Sequence, residues 1–75
     1  MPRMPRVTGA EVLRALRSLV WVVAAQPGSH IQLKHPDRPG RLTIPIHAGE
    51  TIGPRLLGSI LTQAGLSVDE FRSAL

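Results

Sequence analysis

Apolar positions at Val12, Leu13, Leu16 and Leu19 recur with helical spacing, while Arg14 and Arg17 fall off that stripe toward solvent. The spacing predicts an amphipathic helix from Gly9 to about Leu19. Its start is marked twice. Thr8-Gly9-Ala10-Glu11 places a hydroxyl at the N-cap and a carboxylate three residues on, each able to satisfy the other's orphan amide, and Val7 and Val12 occupy the positions of a hydrophobic staple. From Val20 to Ala25 the helical period stops, and the β-branched run VWVV reads as a strand that is apolar on both faces. One face is expected to meet the helices and the other to meet something else.

Gln26-Pro27-Gly28-Ser29 then reads as a type II turn, because proline presets φ at the second position and glycine supplies a positive φ at the third. The second strand, His30 to His35, alternates: Ile31 and Leu33 point one way, His30, Gln32 and Lys34 the other. Pro36-Asp37-Arg38-Pro39-Gly40 makes a second turn. A third strand follows from Arg41 to about Ile46, with Leu42, Ile44 and Ile46 on the core face and Arg41, Thr43 and His47 facing outward. Pro45 has no amide to donate, so this strand is an edge or ends there. After the loop AGETIGP, Pro54 opens a helix whose buried stripe is Leu56, Leu57, Ile60, Leu61 and Ala64, and Gly65 stands at the C′ position. Ser67-Val68-Asp69-Glu70 is a second capping box and opens a short last helix containing Phe71. The order α-β-β-β-α, with a terminal turn of helix, predicts an α+β fold. It is a three-stranded antiparallel sheet with helices on one face and the other face open, the outline of the double-stranded RNA-binding domain.

Seventy-five residues enclose one modest core, so residues 1–75 are expected to form a single domain with residues 1–6 as a flexible basic arm. In that arm, Arg3 reads as a frayed terminus, and Arg6 as either frayed or an auxiliary phosphate contact. The chain has no cysteine, which removes disulfides, thiolate nucleophiles and cysteine zinc sites together and leaves the hydrophobic core to hold the fold. No secretory signal and no apolar run long enough to cross a bilayer is present, so a soluble, cytoplasmic chain with no membrane partner is expected. Nine Lys and Arg against five Asp and Glu give a net charge of +4, with Lys34 the only lysine. A basic, arginine-rich surface attracts polyanions, and it is equally an ordinary route to solubility.

Strand alternation gathers His30, Gln32, Lys34, Arg41 and Thr43, with His47 nearby, on the face the helices leave uncovered. An imidazole among cationic and hydrogen-bonding groups suits a phosphodiester backbone. Histidine titrates near working pH, so it can take the proton of a ribose hydroxyl or give one to a leaving oxygen, while Arg or Lys stabilises the charged phosphorane. Each residue also has a plain alternative. A strand histidine beside a turn can be a solvated polar group, Gly28 is explained by turn geometry, and Gln32, Lys34 and Arg41 are what any exposed sheet face carries. His35 shares the parity of Ile31 and Leu33 and is assigned to packing or capping at the strand end. The spacing of His30, His35 and His47 matches no compact metal motif, and the opposite parity of His30 and His35 argues against one shared ion. Ser29 beside His30 is a sequential neighbour and not a triad partner, and Asp69 and Glu70 are used in capping.

The first helix with its capping signal, the aromatic at Trp21, Gly28-Ser29-His30, His47 after Ile44-Pro45, and LLGSILTQAGLSVDEF occur together in one order and spacing. By these landmarks the stretch from Val7 to Phe71 resembles the HicA (YcfA-like) toxin family. The resemblance implies a messenger-RNA interferase of a type II toxin-antitoxin pair, with a fold similar to the double-stranded RNA-binding domain. The histidine of its Gly-Ser-His motif, the one regarded as catalytic, maps onto His30, with Gly28 and Ser29 completing the motif. It further implies a HicB-type antitoxin that masks the active face, in a hetero-oligomer with the toxin, and no metal or cofactor. Where family members usually carry glycine before the aromatic, this chain carries Val20, and Ala24, Ala25 and Pro27 stand where basic or polar residues are common. Beside cleavage, a module that binds RNA or antitoxin without catalysis is the alternative reading.

Overall fold

The computed structural model describes residues 4–75. The elements are α1 (Gly9–Ser18), β1 (Val22–Ala25), β2 (His30–His35), β3 (Arg38–Pro45), α2 (Pro54–Ala64) and α3 (Val68–Ala74). The three strands form one antiparallel sheet in the order β1-β2-β3. Ile31 pairs with Ile44 and Leu33 with Leu42, so these four side chains lie on one face, and all are buried against the helices. Val12, Ala15 and Leu16 of α1, Leu57, Ile60, Leu61 and Ala64 of α2, and Phe71 of α3 complete the core. Every fully buried side chain among the described residues is apolar, so the core is held by burial alone, at roughly 1.5–3 kcal/mol for each large side chain.

Both capping boxes form as the sequence implies. Thr8 Oγ1 accepts from the Glu11 N–H (3.2 Å) and Glu11 Oε1 accepts from the Thr8 N–H (2.9 Å). Ser67 and Glu70 make the same exchange at 3.0 and 2.9 Å. Val7 and Val12, flanking the first box, are both buried. Met4 packs partly buried against the core, while Arg3 lies outside the described residues.

The first strand begins two residues later than the β-branched run predicts. Val20 has φ of 77°, which no strand residue adopts. Its N–H donates to the Arg17 carbonyl (3.3 Å) and the Trp21 N–H to the Leu16 carbonyl (3.1 Å). That is the Schellman closure of a helix, with Val20 in the left-handed position that glycine usually fills. The same pattern closes α2, where Gly65 has φ of 71°, its N–H donates to Thr62 (3.1 Å) and the Leu66 N–H donates to Leu61 (2.9 Å). Buried Trp21, packed in the position after Val20, anchors the unfavourable conformation.

Three further departures have local causes. The turn before β2 closes through the His30 N–H and the Pro27 carbonyl (3.2 Å), which puts Gly28, at φ of 63°, first among its two central residues and not second. The third strand starts at Arg38 because Pro36 and Asp37 alone make the turn and His35 pairs with Arg38. Leu56, assigned to the buried stripe of α2, is 42% exposed. It lies on the first turn of α2, at the margin of the helical face that meets the sheet.

Candidate nucleic-acid interface

The open face is organised by β2 and β3. Gln32 pairs with Thr43 and His30 with Pro45, so the outward side chains of the two strands stand side by side. Regular pairing beyond Leu33 and Leu42 would set Lys34 directly opposite Arg41, two cations at the closest cross-strand spacing. Instead the register shifts between Leu33 and His35, with extra residues on β3, and the Arg41 guanidinium Nη1 donates to Gln32 Oε1 at 2.9 Å. That bond fixes Arg41 across Gln32. With its oxygen so engaged, the Gln32 amide has its N–H groups left for a ligand.

β1 ends at Ala25, opposite Gln32, so His30 lies beyond the end of that strand and has β3 on one side only. Its side chain is exposed. The Ser29 carbonyl accepts the Ile46 N–H (2.7 Å), which extends the β2-β3 contact past Pro45 and carries His47 back over His30. The two imidazole centroids are 6.3 Å apart with planes at 84°. A turn closed by the Glu50 N–H and the His47 carbonyl (3.0 Å) follows, and Thr51 then bridges to Thr8 while the Ile52 N–H donates to the Val7 carbonyl (2.7 Å). The loop bearing His47 is thus tied at both ends.

His35 is used differently. Its ring meets Trp21 edge to face at 5.1 Å, and its Nδ1 accepts the Asp37 N–H (3.0 Å), so it closes the hairpin and packs on the core. Of the three histidines, only His30 and His47 share the open face. Among the described residues no group of three or more His, Asp or Glu side chains converges as a metal site would require.

The fold therefore brings His30, Gln32, Arg41, Thr43 and His47 together and sets Lys34 one step along β2, beside Val22 of β1. Sequence reasoning missed the surroundings of His47: Pro45, Glu50, Thr51, Ile52, Gly53 and Leu56 line a depression with it. The run Glu50-Thr51 only three residues after His47 was the available signal. It also left undecided how β1 is covered. Trp21 is buried, whereas Val20, Val22 and Val23 are 58%, 47% and 44% exposed, because the helices pack over β3 and leave β1 as the uncovered edge.

Two carboxyls that cap helices away from this face are perturbed. Hydrogen bonds from the Thr8 backbone and side chain hold the Glu11 carboxyl below its ordinary value, and those from Ser67 do the same for Glu70. No described helix is long and apolar enough to cross a membrane.

A family model described as the HicA toxin of bacterial toxin-antitoxin matches residues 9–66. That span runs from the first residue of α1 to the residue after Gly65, and it contains the whole sheet and both histidines of the open face. No curated protein matches the chain closely enough to count as a relative. With more than half of its length matched, including every element that builds the open face, the chain belongs to the HicA toxin family of bacterial toxin-antitoxin systems.

Proposed function

We propose that this toxin is an endoribonuclease that cuts messenger RNA, with His30 transferring a proton as general acid or base. The observation that carries the reading is the placement of His30: exposed, beyond the end of β1, and on the face that also presents Gln32, Lys34, Arg41, Thr43 and His47. Phosphodiester cleavage needs a group that exchanges protons near neutral pH and cations that stabilise the phosphorane. Lys34 and Arg41 supply the charge, Gln32 and Thr43 supply hydrogen bonds to sugar and phosphate, and His47 contacts the phosphate beside His30. Gly28 and Ser29 form the turn that delivers His30. The reading gives proton transfer to imidazole and not to a metal-bound water, so cleavage persists in EDTA. The partner is an antitoxin of the HicB type that covers the open face and prevents RNA from reaching His30.

Inducible expression of the wild type and of His30→Ala, with growth and total RNA followed together, tests this. Arrest accompanied by RNA shortening in the wild type alone supports it; equal arrest and equal cleavage by both sinks the assignment of His30. The second reading, a module that binds without cutting, draws on the exposed Val20 and Val22 beside Lys34, apolar surface suited to protein contact. It predicts RNA of unchanged length on incubation and binding that is lost on raising salt.

A further inference from the structure

We infer that His47 is a second proton-transfer group, forming with His30 an acid-base pair that spans one phosphodiester. This deepens the ribonuclease reading above and rests on it.

The geometry distinguishes this pair from an incidental contact. The rings stand 6.3 Å apart and nearly perpendicular. With about 3 Å of hydrogen-bond reach from each imidazole, two oxygens of a single phosphate lie within range of both. Both side chains are exposed, and among the described residues neither makes a side-chain hydrogen bond, whereas His35 spends its Nδ1 on the Asp37 N–H. Their backbones are fixed to each other through the pairing of His30 with Pro45 and the bond from the Ile46 N–H to the Ser29 carbonyl. A pair so mounted is positioned before substrate arrives, which is what proton transfer at two atoms requires.

The step balances without any further reactant. One neutral imidazole takes the proton of the ribose 2′-hydroxyl as that oxygen bonds to phosphorus. The bond from phosphorus to the leaving ribose oxygen breaks, and the other histidine, as imidazolium, gives that oxygen its proton. The products are a cyclic phosphate and a free hydroxyl, and exchange with water restores the two protonation states. The cycle needs one protonated and one neutral ring. The charged residues on the two strands, the following loop and the first turn of α2 are Lys34 on β2, Arg38 and Arg41 on β3, Glu50 in the loop and Arg55 on α2. Of these, Glu50 lines the same depression as His47.

The test is cleavage of a mixed-sequence oligoribonucleotide by purified full-length protein in EDTA across pH 5–9. The variants are His30→Ala, His47→Ala and His47→Lys, with thermal unfolding of each as the folding control and His47→Gln as a second variant should alanine unfold. The expected result is a bell-shaped wild-type profile and a loss of roughly 10²–10⁴-fold in kcat for His47→Ala or His47→Gln. KM should change little, one limb of the profile should vanish, and the lysine variant should not restore the rate. A substrate with an activated leaving group then assigns the roles: a variant lacking the acid recovers on it and a variant lacking the base does not. The inference is overturned if His47→Ala acts mainly on KM, keeps both limbs, or is rescued by lysine, since a phosphate contact alone explains those results. His30→Ala inactive beside an active His47→Ala removes the pair and leaves the ribonuclease reading standing. A wild type that leaves RNA uncut removes both.

Discussion

Position 20 allows a direct measurement of what a side chain costs at a left-handed helix terminus. In this conformation an L-residue is disfavoured by roughly 1–2 kcal/mol, and Val20 sits there at φ of 77°. Glycine avoids that cost but loses roughly 0.5–1 kcal/mol through the greater freedom of the unfolded chain. Taking the midpoints of the two ranges, Val20→Gly should be more stable than Val20→Ala by about 0.75 kcal/mol, the reverse of the order at an ordinary position. The comparison is made against alanine because both variants remove the valine methyls, which are mostly exposed (58%) and contribute little burial. For a domain of this size the difference corresponds to about 3–6 °C in Tm. Thermal unfolding of the two variants by circular dichroism reads it out. Gly65→Ala is the matched control: it imposes the same conformational cost at φ of 71°, while the exposed end of the Arg38 side chain can move aside for the added Cβ, so it should lower Tm through the backbone. A Val20→Ala protein as stable as Val20→Gly, or more so, would refute the assignment of strain to this position.

Gly9→Ala improves helix propensity but should destabilise the protein by roughly 1–3 kcal/mol, because an added Cβ runs into the Pro45 carbonyl and comes within 2.9 Å of Ile46 Cδ1; chemical denaturation measures it. The lowered Glu11 and Glu70 carboxyls contribute stability that is complete above the unfolded glutamate value of about 4.3 and is lost as pH falls through the lower folded values. Tm should therefore drop on acidification below pH 5, and the Glu11→Gln, Glu70→Gln double variant should show a smaller drop, starting from a lower neutral-pH Tm. Binding of single-stranded RNA should weaken with salt, and Lys34→Ala and Arg41→Ala should each reduce the slope of log K against log salt by about 0.7; unchanged slopes would take those residues off the phosphate path.

The sequence made the helices legible through chemistry confined to a few neighbouring residues. The Thr8/Glu11 and Ser67/Glu70 boxes and Gly65 mark ends, and the ends lie where they mark them. The core face of β2 and β3 was equally open to reading, because Ile31, Leu33, Leu42 and Ile44 alternate in strict period two. Val20 misled for the opposite reason: β-branching favours a strand, and only the anchoring of Trp21 and the two closing hydrogen bonds reveal a helix terminus. The shifted register around Gly40 and Arg41 was hidden because a bulge depends on pairing partners, not on composition. At the candidate site, parity alone separated His30 from His35, and both fall where parity put them. The approach of His47 to His30 depends on the bond from Ile46 to Ser29 after Pro45 interrupts the strand, a contact no periodicity encodes.

The measurement that bears most directly on the central claim is RNA cleavage in EDTA by purified wild type and His30→Ala, compared at matched folding by circular dichroism. Wild type should shorten RNA, and His30→Ala, equally folded, should be slower by roughly 10²–10⁴-fold. A folded His30→Ala that cuts at the wild-type rate, or a folded wild type that cuts nothing, would contradict the claim.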